Sequence, residues 1–93
     1  ERLLPVGPDP RAPMTEIYEM FAGRLLPQRV IVAARDSVPA HFYAHLYVGI
    51  YFDALGRRQD ALKEMALAAA DRYARAGGYM HDMARIHLDV LKR

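Results

Sequence analysis

Hydrophobic residues recur at helical spacing along most of the chain. From Met14 the apolar positions fall three or four residues apart, which predicts a short helix that stops near Gly23. Pro27 suits the first turn of a second helix over residues 28–35. The β-branched run at residues 30–32 also fits a strand, but the flanking elements are helical and no second strand is there to pair with it. We therefore predict a second helix.

Two longer helices follow, joined by a tight turn. Ser37 and Pro39 open a predicted helix that runs to about Leu55, where Gly56 closes it. The next predicted helix spans residues 58–76 and ends at a pair of glycines. Residues 37–76 are therefore expected to form an antiparallel helix hairpin.

A last helix is predicted over residues 79–92, and its apolar stripe is wide enough to dock on the hairpin. The other end of the chain differs, because four prolines within residues 1–13 exclude a helix and indicate an extended arm or linker. We expect one helical domain over residues 14–93 in which 14–36 form a degenerate helix pair. The last helix carries one row of Tyr79, Met83, Ile86 and Val90 and a neighbouring row of Met80, Ala84, His87 and Leu91.

Residue types at fixed offsets in the hairpin resemble one tetratricopeptide (TPR) repeat over residues 42–75. The residues that stand at the offsets of the repeat are His45, Val48-Gly49, Phe52, Gly56, Ala61, Met65, Ala68 and Tyr73. Of these, His45 and Tyr73 differ in type from the residues usual at their positions. The resemblance implies stacked antiparallel hairpins, that is, a short all-α solenoid of about five helices. The order of elements is similar to the C-terminal end of longer bacterial TPR proteins.

Gly49 has a physical reason that is independent of the resemblance. A glycine in the middle of a helix costs about 1 kcal/mol relative to alanine, so we expect it where a second helix approaches closely. Ala61 and Ala68 are its small counterparts on the next helix, with Met65 and Phe52 filling the volume between them.

The helix over residues 40–55 is apolar or aromatic on nearly every side, so more than one of its faces must be covered. We expect Val48, Gly49 and Phe52 to face the following helix. By resemblance to TPR proteins a second face would line a ligand groove. It is covered either by residues 14–36 or by a partner. The candidate partner-binding residues are Tyr43, Leu46, Tyr47, Ile50, Asp53 and Ala54.

The composition excludes several classes of function. The 93 residues contain no cysteine, one serine and one threonine, so thiolate sites are excluded and a hydroxyl nucleophile has two candidates at most. A formal charge of +2 is too small to indicate nucleic-acid binding. No apolar run approaches the roughly 20 residues of a membrane span. Hydrophobic residues make up 53% of the chain, which is typical of a globular domain.

Histidines are the remaining candidates for chemistry. His41 and His45 lie four residues apart and can share a metal ion if a third ligand approaches, and His81 with Asp82 can supply more. Solvated or hydrogen-bonded helix residues are the plainer interpretation, and we assign no metal or other cofactor. His87 lies within an apolar stripe, where a hydrogen-bonded structural role is expected.

The sequence predicts a protein-interaction or scaffolding module without catalysis of its own. Its partner is a protein or peptide bound by the face of the helix 40–55. Homodimerisation and a metal-binding role through His41 and His45 are the alternatives. The localisation stays open: cytoplasmic is the default, and periplasmic applies if a signal peptide precedes Glu1.

Overall fold

A computed structural model describes residues 14–35 and 37–93, and the predicted arm over residues 1–13 lies outside the described residues. The described residues form helices and connecting turns without a strand, which confirms the predicted all-α class. None of the helices in this part combines the length and apolar character that crossing a bilayer requires. In order they are α1 (Met14–Phe21), α2 (Pro27–Ala33), α3 (Val38–Ala54), α4 (Arg58–Ala68), a 3-10 turn (Asp71–Tyr73), α5 (Ala74–Gly77) and α6 (Tyr79–Lys92).

Helix α3 lies between two hydrophobic clusters. The N-terminal cluster joins α1 and α2 to one face of α3 through Ala40, Ala44 and Val48. The C-terminal cluster joins α4 and α6 to another face through Phe42 and Leu46. This position explains why α3 is apolar nearly all round, since two of its faces are buried by different parts of the chain.

The structure changes one prediction about α3 and removes one of the two alternatives for covering its second face. Val48 lies in the N-terminal cluster rather than against α4, because the face it shares with Ala44 is the one that meets α1 and α2. The same two helices do not cover the face that carries Leu46 and Ile50, which packs with the C-terminal cluster instead.

Gly49 marks the closest approach of α3 and α4. A Cβ atom at this position would lie 2.9 Å from Met65 Cε and 3.3 Å from the Met65 backbone nitrogen. Because the second of these atoms belongs to the main chain, the helices could not keep their separation around a larger residue. Ala61, Met65 and Ala68 are fully buried on the facing side of α4, as the spacing predicted.

The helix predicted over residues 58–76 ends early, at Ala68. The chain then makes the 3-10 turn, which buries the Tyr73 side chain in the C-terminal cluster, before α5 begins. His81 stabilises the break, because its Nε2 lies 3.0 Å from the carbonyl oxygens of both Ala69 and Ala70 and donates to them. One predicted helix therefore becomes α4, the 3-10 turn and α5.

Helix α6 packs on α4 with only one of its two apolar rows. Ala84 and Leu91 are buried in the C-terminal cluster, with Met80 and Leu88 packed against it. At the far end the Arg58 guanidinium donates to the carbonyl oxygens of Leu91 and Arg93, which ties the start of α4 to the end of α6. The other row of α6 does not dock on the hairpin, in contrast to the width predicted for the stripe.

A surface ion pair closes the turn after α1. The Arg24 Nε donates to Glu19 Oε1 at 2.7 Å and a second guanidinium nitrogen lies 3.3 Å from Oε2. This hydrogen bond holds the pKa of Glu19 below its ordinary value and raises the pKa of Arg24. Since the pKa of Glu19 is lowered by folding, the pair stabilises the fold above the ordinary carboxyl pKa, and the effect is lost as the pH falls through the lowered value.

We expect Arg24→Gln to return the pKa of Glu19 towards its ordinary value, because the charged donor is removed. An NMR titration of the Glu19 carboxyl carbon measures the change. Arg29→Gln, an exposed arginine on α2, is the matched control and should leave that titration in place. Equal titrations of Glu19 in the Arg24 variant and the unaltered protein would contradict this account.

Candidate functional site

An open groove of about 500 Å³ separates α3 from α6. We call it the α3–α6 groove. Leu46 is buried and forms part of its floor, while Ile50 is half-buried on the same side. At one end the His87 Nε2 lies 3.1 Å from an Asp53 carboxylate oxygen, so a hydrogen bond joins the two walls. The lining residues are Leu46, Ile50 and Asp53 of α3 with Tyr79, Met80, Met83, Ile86, His87 and Val90 of α6.

The outer wall of the groove continues onto an exposed apolar row. We call this row the α6 stripe, and its members are Tyr79, Met83, Ile86 and Val90. Their exposed fractions are 74%, 41%, 57% and 54%, although α6 is otherwise well packed on its opposite side. The spacing of four, three and four residues places these side chains in one line along the helix. Four large apolar side chains in one exposed row are typical of an interaction surface.

Of the six predicted partner-binding residues, three line the groove and three lie elsewhere on α3. Leu46, Ile50 and Asp53 line the α3–α6 groove. Tyr43 and Tyr47 are not among its lining residues. They lie partly buried against the C-terminal cluster, and their rings are stacked with centroids 6.4 Å apart. Ala54 is exposed in the last turn of α3.

The α6 stripe is the part of the groove that the sequence did not indicate as a site. Its residues were visible as an apolar row, but they were expected to dock on the hairpin. The two rows can be told apart by the size of their residues. The row with Ala84 permits close packing on α4, whereas the row with Tyr79, Met83, Ile86 and Val90 has no small residue.

The histidines proposed as metal ligands lie near a smaller pocket of about 370 Å³, lined in part by His41, His45 and Arg72. The His41 Nε2 lies 2.5 Å from the Arg35 carbonyl oxygen and donates to it. The His45 Nδ1 lies 2.8 Å from Glu64 Oε1. The described residues contain no group of three or more side chains placed to hold a metal ion.

His81 and His87 have structural contacts. His81 is buried, and its Nε2 donates to the carbonyls that follow α4, so this nitrogen is not available as a metal ligand. His87 is hydrogen-bonded to Asp53 within a largely apolar groove, which agrees with the structural role predicted for it.

Comparison with known proteins found no matching family model, no similar curated protein and no similar solved structure.

Proposed function

We propose that this protein is a protein-interaction module of the TPR type, without catalysis of its own, that binds a partner peptide or subunit in the α3–α6 groove. The observation that carries the proposal is the continuity of the groove with the exposed α6 stripe. Together they give one long apolar surface with a few polar groups at its edge. Surfaces of this kind supply the buried centre of protein–protein interfaces.

The arrangement of helices also supports the TPR assignment. α3 and α4 form an antiparallel hairpin with a glycine at their closest approach, and α6 packs beside α4 as the first helix of a following hairpin would. In stacked hairpins of this type the first helices of successive repeats border a shared groove. Under this proposal α3 and α6 take the place of those helices.

The proposal is tested with two valine variants. Val90→Asp places a charge within the groove, and Val32→Asp makes the same change on α2, outside it. Both valines are more than half exposed and lie in the last turn of their helices. Peptides are first selected from a random library on the unaltered protein, and their affinities for the variants are then measured by fluorescence anisotropy.

We expect Val90→Asp to weaken the selected peptides at least tenfold, since a carboxylate would be desolvated under the bound apolar side chain. Val32→Asp should leave their affinities unchanged. NMR shift changes caused by the peptides should fall on α3 and α6. Equal affinities for the two variants, or a library that yields no binding peptide, would overturn the assignment of the groove.

Self-association is the second candidate function. The four, three, four spacing of the α6 stripe is also the spacing of a coiled-coil seam, so a second copy could cover it. Sedimentation over a range of concentrations separates the two candidates. A dimer that Val90→Asp dissociates and Val32→Asp does not would favour self-association, and a monomer at the highest concentration would exclude it.

A further inference from the structure

We propose that the occupant of the α6 stripe is an amphipathic helix of another protein whose apolar face is flanked by lysine or arginine. This rests on the proposed function and adds the chemistry of the partner. Two features of the structure carry it: the straight geometry of the stripe and the sign of the charges along one of its edges.

The geometry of the stripe fits a helix. Its four side chains form one row along a helix of 14 residues, which corresponds to about 20 Å. The groove beside this row is floored by Leu46 and Ile50. A partner helix with apolar residues at positions i, i+3 or i+4, and i+7 places them at the same repeat, so its side chains can enter the groove in register.

Two carboxylates border the α6 stripe along one long edge. Asp82 follows Tyr79 by three residues and precedes Ile86 by four, so it lies beside the stripe on the edge away from α3. Asp89 lies on the same edge two turns further on, and both aspartates are exposed. Asp53 also lines the groove, but its carboxylate is already hydrogen-bonded to His87 at one end.

The basic residues of α6 lie farther from the stripe. Arg85 is three residues after Asp82 and four before Asp89, which places it on the side of the aspartates that faces away from the stripe. Arg93 borders the stripe at its C-terminal end only. Among the described residues, the ion pairs that the structure contains do not include Asp82 or Asp89. The edge of the stripe that carries Asp82 and Asp89 is therefore acidic and complements a cationic partner.

The same charges disfavour a second copy. In a two-fold dimer with antiparallel α6 helices, Asp82 and Asp89 would face the same aspartates of the other copy, and like charges at such flanking positions oppose pairing. In a parallel pair, the aspartate edge of one α6 would have to pack against the Met80 and His87 edge of the other copy. That edge already faces α3 across the groove, so α3 stands in the way. A cationic helix from another protein meets neither obstacle.

The test uses two synthetic peptides of equal length, each a helix with leucines at the apolar positions. Lysines flank the leucines in one peptide and glutamates in the other. Anisotropy at low salt should show the lysine peptide binding about tenfold more tightly to the unaltered protein, and the ratio should fall as salt is added. Val90→Asp should weaken the lysine peptide, and Val32→Asp should not.

A charge-reversed pair of variants completes the test. Asp82→Lys with Asp89→Lys should invert the preference, so that the glutamate peptide binds more tightly. Asp60→Lys with Asp71→Lys changes the net charge equally at two sites outside the groove and should keep the preference for lysine. An equal affinity of the unaltered protein for both peptides would overturn the inference, as would a preference that survives reversal of Asp82 and Asp89.

The outcomes separate this inference from the proposed function. If neither designed peptide binds, or both bind equally, while library peptides remain sensitive to Val90→Asp and not to Val32→Asp, the cationic partner is wrong and the groove stands. If library peptides bind both valine variants equally, the groove itself is wrong.

Discussion

Replacing Phe42 with alanine should lower the free energy of unfolding by about 3 to 5 kcal/mol. Phe42 is fully buried at the point where α3, α5 and α6 meet. Its ring meets the Tyr43 ring edge to face with centroids 4.9 Å apart, and the Tyr73 and His81 rings at 6.0 and 6.2 Å. The substitution removes the transfer free energy of the ring and leaves a cavity that these surrounding groups cannot fill.

A domain of this size has a total stability of roughly 5 to 15 kcal/mol, so the loss is a large fraction of it. Urea denaturation followed by far-ultraviolet circular dichroism measures the change. Phe21→Ala is the matched control, because its ring is 46% exposed and packs at the surface against Tyr51. We expect that control to cost about 1 kcal/mol. Equal losses in the two variants would show that Phe42 is not the centre of the C-terminal cluster.

Gly77→Ala should destabilise the protein by about 2 kcal/mol, even though alanine is the better helix former. A Cβ atom here would lie 2.8 and 2.9 Å from two carbons of the Phe42 ring and 3.0 Å from His81 Cβ. The ring is fully buried with three other rings around it, so moving it disturbs the packing of the C-terminal cluster. The backbone of Gly77 is helical, so the expected loss comes from the steric overlap and not from its conformation.

A double-mutant cycle tests this cause. In a Phe42→Leu background the overlapping ring atoms are gone, and Gly77→Ala should cost much less than it does alone. Gly56→Ala is the control, since φ is +77° there and nothing lies within 4 Å of the added atom. Its cost of about 1 kcal/mol is conformational and should be the same in both backgrounds. If Gly77→Ala lowers the free energy of unfolding equally with and without Phe42→Leu, the steric account is wrong.

Local sequence signals predicted the elements of the fold that local chemistry determines. Ser37 begins α3 as expected, with its Oγ accepting a hydrogen bond from the Ala40 backbone nitrogen at 3.1 Å. Gly49 permits the close approach of α3 and α4 that its position suggested. Pro27 begins α2, which is a helix and not the alternative strand. In each case a single residue has a strong conformational or steric preference of its own.

The break after α4 could not be predicted in the same way. The alanine-rich run before Asp71 favours a continuous helix, and no glycine or proline interrupts it. The break depends on long-range contacts: Tyr73 enters the C-terminal cluster, and His81 from the next helix donates to the freed carbonyls. Tertiary packing overrides helix propensity here.

The sequence predicted one of the two walls of the groove. The α3 wall followed from the apolar excess of that helix, but its cover did not, because periodicity cannot say which element meets a given face. The α6 wall required knowing which of two apolar rows packs on α4, and this depends on the fit of Ala84 and Leu91 into the C-terminal cluster.

Helix α3 belongs to both clusters, but the helices on its two sides differ in how independently they can unfold. α1 and α2 have eight and seven residues, which is shorter than the roughly 12 to 15 that an isolated helix needs, so they hold their shape only against α3. They can therefore open together as one subglobal unit while the C-terminal cluster stays folded, and amide hydrogens in α3 would exchange last. Such opening uncovers Ala40, Ala44 and Val48, a latent apolar face that the native state keeps closed.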